Sequence, residues 1–221
     1  PVVTLASISP VCVNASPFTL SGGSPAGGTY SGTGVSSGTF NPSIPGTGTT
    51  NITYTYSDAN GCQSSASTSV TVNTIPTVTL AALSPVCQNG SAVTLTGGSP
   101  SGGTYSGTGV SGNSFNPATA GAGTFTITYS YTNASGCSGT GTNTVTVNPT
   151  PSVTLTTPAS ACVNGSPITL TGGSPAGGTY GGTGVSGGVF NPATAGTGTK
   201  TITYTYTSAA GCAANTSSQI T

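Results

Sequence analysis

Between Asn51 and Ser57 the side chains alternate without a break: Ile52, Tyr54 and Tyr56 fall on one face, and Asn51, Thr53, Thr55 and Ser57 on the other. A period of two is that of a half-buried β-strand. Val3 and Leu5 flank Thr4, and Phe18 and Leu20 flank Thr19, so two shorter strands are predicted upstream. A glycine-rich segment over 21–34 follows, interrupted by Thr29-Tyr30-Ser31, and Phe40 precedes Asn41-Pro42, a turn-initiating pair. After the long strand, Asp58-Ala59-Asn60-Gly61 supplies a turn, with glycine available for positive φ. A last strand runs from Cys62 to Val72, with Val70 and Val72 inward. No segment has the 3.6-residue apolar period of a helix. About seven short strands with frequent turn signals predict an all-β, antiparallel, immunoglobulin-like sandwich. The tyrosine rings would fill much of its core, each hydroxyl reaching the rim or a backbone partner.

The pattern occurs three times, with a period of 75 residues and no insertion or deletion. Pro1, Pro76 and Pro151 open the units; GGTY recurs at 27–30, 102–105 and 177–180, and Phe-Asn-Pro at 40–42, 115–117 and 190–192. The predicted repeats are 1–75, 76–150 and 151–221. The third stops at Gln219-Ile220-Thr221, inside its last strand, so the chain reads as three units of a longer array. Ile52, Tyr54 and Tyr56, with Ile127, Tyr129, Tyr131, Ile202, Tyr204 and Tyr206, are the expected core positions. The junctions carry Pro76, Pro149 and Pro151, which fix φ and keep a connector extended. Identical units following end to end at a fixed angle would generate a rod or a helix.

Composition narrows the chemistry. Asp58 and Lys200 are the only charged side chains, and histidine is absent; an ordinary domain has ~25% charged residues. With 33% hydrophobic residues, the chain does not pair low hydrophobicity with high charge as disordered chains do. No apolar run approaches the ~20 residues of a membrane helix. Without histidine no Ser-His-Asp or Cys-His arrangement can form, and one carboxylate cannot make a glycosidase pair. Calcium takes several oxygen ligands, usually including multiple carboxylates, yet the Asp58 position is Asn133 and Ser208 in the other units. Nucleic acids and anionic membranes are excluded as partners by the lack of Lys and Arg. Asp58 and Lys200 read as a solvated turn residue and a solvated strand residue. The stretches GTGVSG at 107–112 and 182–187 match a dinucleotide-binding loop, but the first unit has GTGVSS at 32–37. That loop needs a following helix and an acid about 20 residues on, so the glycines are assigned to turns between strands. No catalytic residue, cofactor or metal site is expected. Asn-x-Ser/Thr triplets at Asn14, Asn51, Asn89, Asn133, Asn164 and Asn215 are possible glycan acceptors. The Thr-x-Thr spacing, as in Thr201-Ile202-Thr203-Tyr204-Thr205, would suit the outer face of a strand or a flat surface for sugar or ice.

Each unit has two cysteines 50 residues apart: Cys12 and Cys62, Cys87 and Cys137, Cys162 and Cys212. Repeat symmetry leaves two pairings. Either each unit closes on itself, or Cys62–Cys87 and Cys137–Cys162 staple neighbours while Cys12 and Cys212 bond outward. The first is expected, because a small unit with a thin core gains most from an internal bridge, about 4 kcal/mol on the chain-entropy model. Metal binding would need closer spacing or histidine partners. Persistent disulfides point to an extracellular setting.

The stretch GTGTTNITYTYSDANGC (46–62) and its copies, with GGTYSGTGV and FNPATAG, resemble the tandem immunoglobulin-like, PKD-like repeats of giant Bacteroidota cell-surface proteins. The resemblance covers all three units. It implies a β-sandwich, export to the cell surface, often by the type IX secretion system, and a role as adhesin stalk or extracellular fibre. It carries over no catalytic residue. The chain departs from the pattern in its near-total lack of charge, since only the first unit keeps the Asp at the turn. The resulting expectation is a secreted or surface-attached structural filament whose partners are other copies of the same array. A non-associating spacer and a glycan- or ice-binding module are the alternatives.

Overall fold

The computed structural model describes residues 1–221. The chain divides into two compact units, neither coinciding with one 75-residue repeat. The first comprises residues 1–80, 97–104 and 128–142; the second comprises 81–96, 105–127 and 143–221. The first unit thus holds all of repeat one with part of repeat two, and the second holds the rest of repeat two with repeat three.

Repeat one contains nine strands: β1 (Thr4–Leu5), β2 (Val11–Cys12), β3 (Phe18–Thr19), β4 (Gly23–Ser24), β5 (Thr29–Ser31), β6 (Val35–Ser36), β7 (Thr39–Phe40), β8 (Gly48–Ser57) and β9 (Gln63–Asn73). Glycine and proline keep seven of them to two or three residues. The exceptions, β8 and β9, form an antiparallel hairpin in register from Gly48↔Val72 to Ser57↔Gln63. One sheet has the order β2-β9-β8-β5, a second has β3-β7-β6, and β1 pairs with β4. Leu20, Phe40, Ile52, Val70 and Val72 are buried between the layers, and Leu5, Val11, Phe18, Tyr30 and Val35 pack around them. Phe18 meets Phe40 edge-on, with ring centroids 5.7 Å apart. The all-β sandwich is therefore present, with one departure from an antiparallel reading. β2 runs parallel to the end of β9, pairing Val11 with Val72 and Cys12 with Asn73.

The later repeats reuse these elements, except that residues 161–162 of repeat three form no counterpart of β2. In repeat two the long hairpin is Gly123–Thr132 with Ser138–Asn148. In repeat three it is Lys200–Thr207 with Ala213–Ile220, over a core of Leu170, Phe190, Ala195, Ile202 and Ile220. Ile52, Tyr54, Ile127, Tyr129, Ile202 and Tyr204 are at most 2% exposed. Tyr56, Tyr131 and Tyr206 are half-buried. At the junctions Pro76 and Pro151 are half-buried and Pro149 is exposed.

Two single helical turns interrupt the strands, where only turns are predicted. They are α1 (Pro117–Ala120) and α2 (Pro192–Ala195). Asn116 is an N-cap: its Oδ1 accepts from the Ala118 and Thr119 N–H groups at 3.0 and 3.3 Å. Pro117 takes the first helical position, where its missing N–H costs nothing. Asn191 caps the same turn in repeat three. In repeat one the chain makes only a turn here. The Ala120 N–H closes α1 on the Asn116 carbonyl at 3.1 Å, and Pro45, at the matching position, has no N–H to do so.

Candidate functional site at the repeat junctions

The tip of each long hairpin is built around one side-chain oxygen. In repeat one, Asp58 Oδ1 accepts from the Asn60 N–H at 3.0 Å and the Cys62 N–H at 2.9 Å. The Asp58 N–H donates to the Cys62 carbonyl, and the Gly61 N–H to the Asp58 carbonyl, both at 3.0 Å. Gly61 has a φ of 81°, which closes the turn. Asn133 Oδ1 does the same for Ser135 and Cys137, and Ser208 Oγ accepts from Cys212. The position requires an acceptor, which Asp, Asn and Ser all supply; charge is incidental.

Each turn delivers a cysteine immediately before the last strand. The other cysteine of each pair lies at that strand's far end. Cys12 pairs with Asn73, and the Val13 N–H donates to the Asn73 carbonyl at 2.9 Å. Cys87 pairs with Asn148 in the same parallel register. An 11-residue strand is about 35 Å long, whereas bridged cysteines have α-carbons no more than ~7 Å apart.

Bridges inside a repeat are therefore geometrically impossible, and the expected Cys12–Cys62, Cys87–Cys137 and Cys162–Cys212 pairs do not form. The alternative staples, Cys62–Cys87 and Cys137–Cys162, are absent too. Cys12 is bonded to Cys137 and Cys87 to Cys212, each across 125 residues, with α-carbons 5.7 and 5.5 Å apart. The tail of one repeat is tied to the hairpin tip of the next. Cys137 and Cys212 are fully buried; Cys62 and Cys162 are free and exposed.

Further contacts close each junction. In the first compact unit the Asn133 Nδ2 donates to the Thr74 carbonyl at 3.1 Å, so the residue that shapes the tip also holds the connector. Just beyond, the chain from Pro76 to Thr79 lies close against the strand after Cys137. A Cβ on Gly139 would sit 2.6 Å from the Pro76 carbonyl oxygen, and one on Gly141 would sit 2.8 Å from that of Val78. In the second unit the Asn89 Nδ2 donates to the Ala213 carbonyl at 2.9 Å. Sequence reasoning missed Asn133 and Asn89 as junction residues and treated both as glycan acceptors. The Asn-Gly-Ser and Asn-Ala-Ser triplets contain no signal for the carbonyls the amides reach.

The glycine loops are turns. The Val35 N–H bonds the Gly32 carbonyl at 3.0 Å, and the chain then enters β6 rather than a helix. The outward sides of β8 and β9 oppose Asn51 to Ser69, Thr53 to Ser67 and Thr55 to Ser65. Thr53 and Ser67 hydroxyls bond each other at 2.9 Å. No three His, Cys, Asp or Glu side chains cluster, and no helix is long and apolar enough to cross a membrane.

No protein-family model matches the chain, and no curated protein matches it in sequence. Among solved structures it is similar to a calcium-stabilised adhesin with which an Antarctic bacterium binds ice, at 18% identity and a TM-score of 0.41, over 100% of this chain and 74% of that one. It is also similar to immunoglobulin domains 1–5 of Sidekick-1, at 11% identity and a TM-score of 0.26, over 98% of this chain and 58% of that one. Cadherin domains 1–4 of protocadherin gamma B7 match at 10% identity and a TM-score of 0.25, over 97% and 74%.

Proposed function

We propose that this chain is a load-bearing structural segment of an extracellular fibre, and that its arrays associate with one another. The observation that carries the reading is the disulfide register. Cys12–Cys137 and Cys87–Cys212 each join a repeat to its successor through the same two positions. A bridge across ~125 residues contributes about 5 kcal/mol on the chain-entropy model. Its placement at the junction also gives successive repeats a second covalent connection beside the backbone. Two such bridges belong to an oxidising compartment, outside the cytosol.

Association follows from the surface. One Lys and one Asp leave no long-range repulsion between copies. Tyr54, Tyr129, Tyr204, Val70 and Val72 are buried, so these side chains do not make the contacts. What is presented outward is the uncharged hydroxyl and amide ladder of the long hairpins. Contacts of that kind are insensitive to salt, because screening acts on charges.

Electron microscopy of unreduced protein at low salt and at about 1 M salt tests this. Ordered filaments that persist at both concentrations are the expected outcome. Single beaded strands that never pair would make the array a spacer and remove self-association from its function.

A further inference from the structure

Repeat three lacks bulk that repeat one has. In repeat one Ile8 packs against the core of Leu20, Phe40, Ile52, Val70 and Val72, and Phe18 meets Phe40 edge-on. The matching positions in repeat three are Pro158 and Ile168, both smaller. A cavity of about 230 Å³ lies there, open to solvent and lined by Leu155, Ile168, Leu170 and Tyr180, with Thr157 and Pro158 at its wall. The Ser218 hydroxyl bonds that of Thr157 at 3.0 Å, which ties the wall to the long hairpin. A repeat holds its successor through the positions of Cys12, Cys87 and Asn89, and their counterparts Cys162 and Asn164 do not line the cavity. The vacancy therefore arises from the side chains at 158 and 168. Repeat one carries the converse feature. Ile44 is 62% exposed although its own repeat is complete and repeat two is in place; its counterparts are Thr119 and Thr194. The turn beneath it is fixed: the Asn41 carbonyl accepts from the Ile44 N–H at 3.3 Å, Asn41 Oδ1 accepts from the Ser43 N–H at 3.1 Å, and Pro45 follows.

We infer that Ile44 of one copy of this chain seats in the repeat-three cavity of a second copy. The occupant is the same kind of side chain that repeat one places at the matching wall, where Ile8 packs on the core. Neither Asp58 nor Lys200 lies on the turn or lines the cavity, so an apolar knob enters an apolar hole without desolvating a charge. Knob and hole belong to different repeats, so the contact is heterologous: each copy gives its Ile44 to one neighbour and receives that of another. Repetition of such a contact builds an open array rather than a closed dimer. Burial of one isoleucine side chain raises an association constant by about 10–100-fold. The area is far below that of a stable pairwise interface, so the knob sets the stagger between neighbours while the hydroxyl and amide ladders supply the remaining contact. The inference deepens the fibre reading above and rests on it.

The test is sedimentation of the full oxidised chain over a concentration series, with three variants. Ile44→Thr removes the knob, Pro158→Ile with Ile168→Phe fills the hole with the side chains of repeat one, and the third variant combines all three changes. Removing the knob and filling the hole are each expected to lower the association constant about 10–100-fold. The combined variant should fall no further than either, because both changes delete one contact. Urea midpoints of the dilute monomers check the fold; Ile168→Phe alone replaces the filling pair if Pro158→Ile lowers the midpoint. Ile44→Thr associating as tightly as wild type would overturn the inference. So would losses that add in the combined variant, since knob and hole would then act in separate contacts. A lower urea midpoint for dilute Ile44→Thr would do the same, because Ile44 would then be seated within its own chain. Wild type that stays monomeric at every concentration sinks self-association and this contact with it, whereas association undiminished by the variants sinks the contact alone.

Discussion

At the scale of single residues, the glycines have two different purposes. Tyr54 is 2% exposed and lies between Gly23 and Gly28. A Cβ on Gly23 would fall 2.6 Å from the ring, and one on Gly28 would fall 2.4 Å from the Thr55 carbonyl oxygen. The Tyr54 hydroxyl accepts from the Gly28 N–H at 2.7 Å and donates to the Pro25 carbonyl at 2.6 Å. Tyr129 and Tyr204 make the same two bonds in their repeats. Gly28→Ala must push backbone away from backbone and should destabilise repeat one by about 3 kcal/mol, the upper range for overpacking. Tyr54→Phe keeps the ring but strands one donor and one acceptor, for a loss of about 2 kcal/mol. Urea midpoints of the oxidised protein would show both, with Gly28→Ala the larger. The other purpose is backbone freedom. Gly112 and Gly187 have φ of 56° and 57° with open space around them, and Ser37 occupies the same conformation at 48°. A left-handed residue with a side chain costs about 1–2 kcal/mol, partly offset by the greater freedom of glycine when unfolded. Ser37→Gly should therefore raise the stability of repeat one by about 0.5–1 kcal/mol, and an unchanged or lower urea midpoint would show that the serine side chain has a compensating partner.

Among the elements, what was legible in the sequence was what local chemistry dictates. The alternation from Asn51 to Ser57 identifies a long half-buried strand because side-chain direction along a strand depends only on parity. Its partner follows from the Asp58–Gly61 turn, and together they are the hairpin that carries the core. β2 is another matter. Val11 and Cys12 are two residues in a stretch with no periodicity, and they become a strand only by docking parallel to the end of β9. The helical turns at Asn116 and Asn191 are too short to display a period; only the cap and the proline announce them. The cysteine pairing failed for a related reason. Spacing along the chain suggested that residues 50 apart meet, whereas the length of β9 and the position of β2 put Cys62 and Cys12 at opposite ends of one strand. Gly23 and Gly28 read correctly as part of a glycine-rich segment, but the ring they accommodate lies 26–31 residues away and left no local mark.

For the whole molecule, the consequence of the disulfides is topological. The loops closed by Cys12–Cys137 and Cys87–Cys212 overlap between residues 87 and 137, so neither can be drawn out independently. With every repeat unfolded, the shortest covalent route from Pro1 to Thr221 runs to Cys12, crosses to Cys137, returns along the backbone to Cys87, crosses to Cys212 and continues to the end. That route has eleven, fifty and nine backbone steps, about 70 at roughly 3.5 Å each, plus two bridges, or about 250 Å. The reduced chain has 220 steps and reaches about 770 Å. Pulled from its ends in a single-molecule experiment, the oxidised protein should therefore stop lengthening at about one third of the reduced protein's extension. Dithiothreitol added under load should release the remainder in two steps, one for each bridge. An oxidised chain that extends to the full length would mean that the junction bonds are absent in solution. A limit near 250 Å would mean that the array resists over-extension by covalent connectivity, whatever the stability of its individual repeats. A fibre under load would need that property, and it follows from the offset between where β9 begins and where it ends.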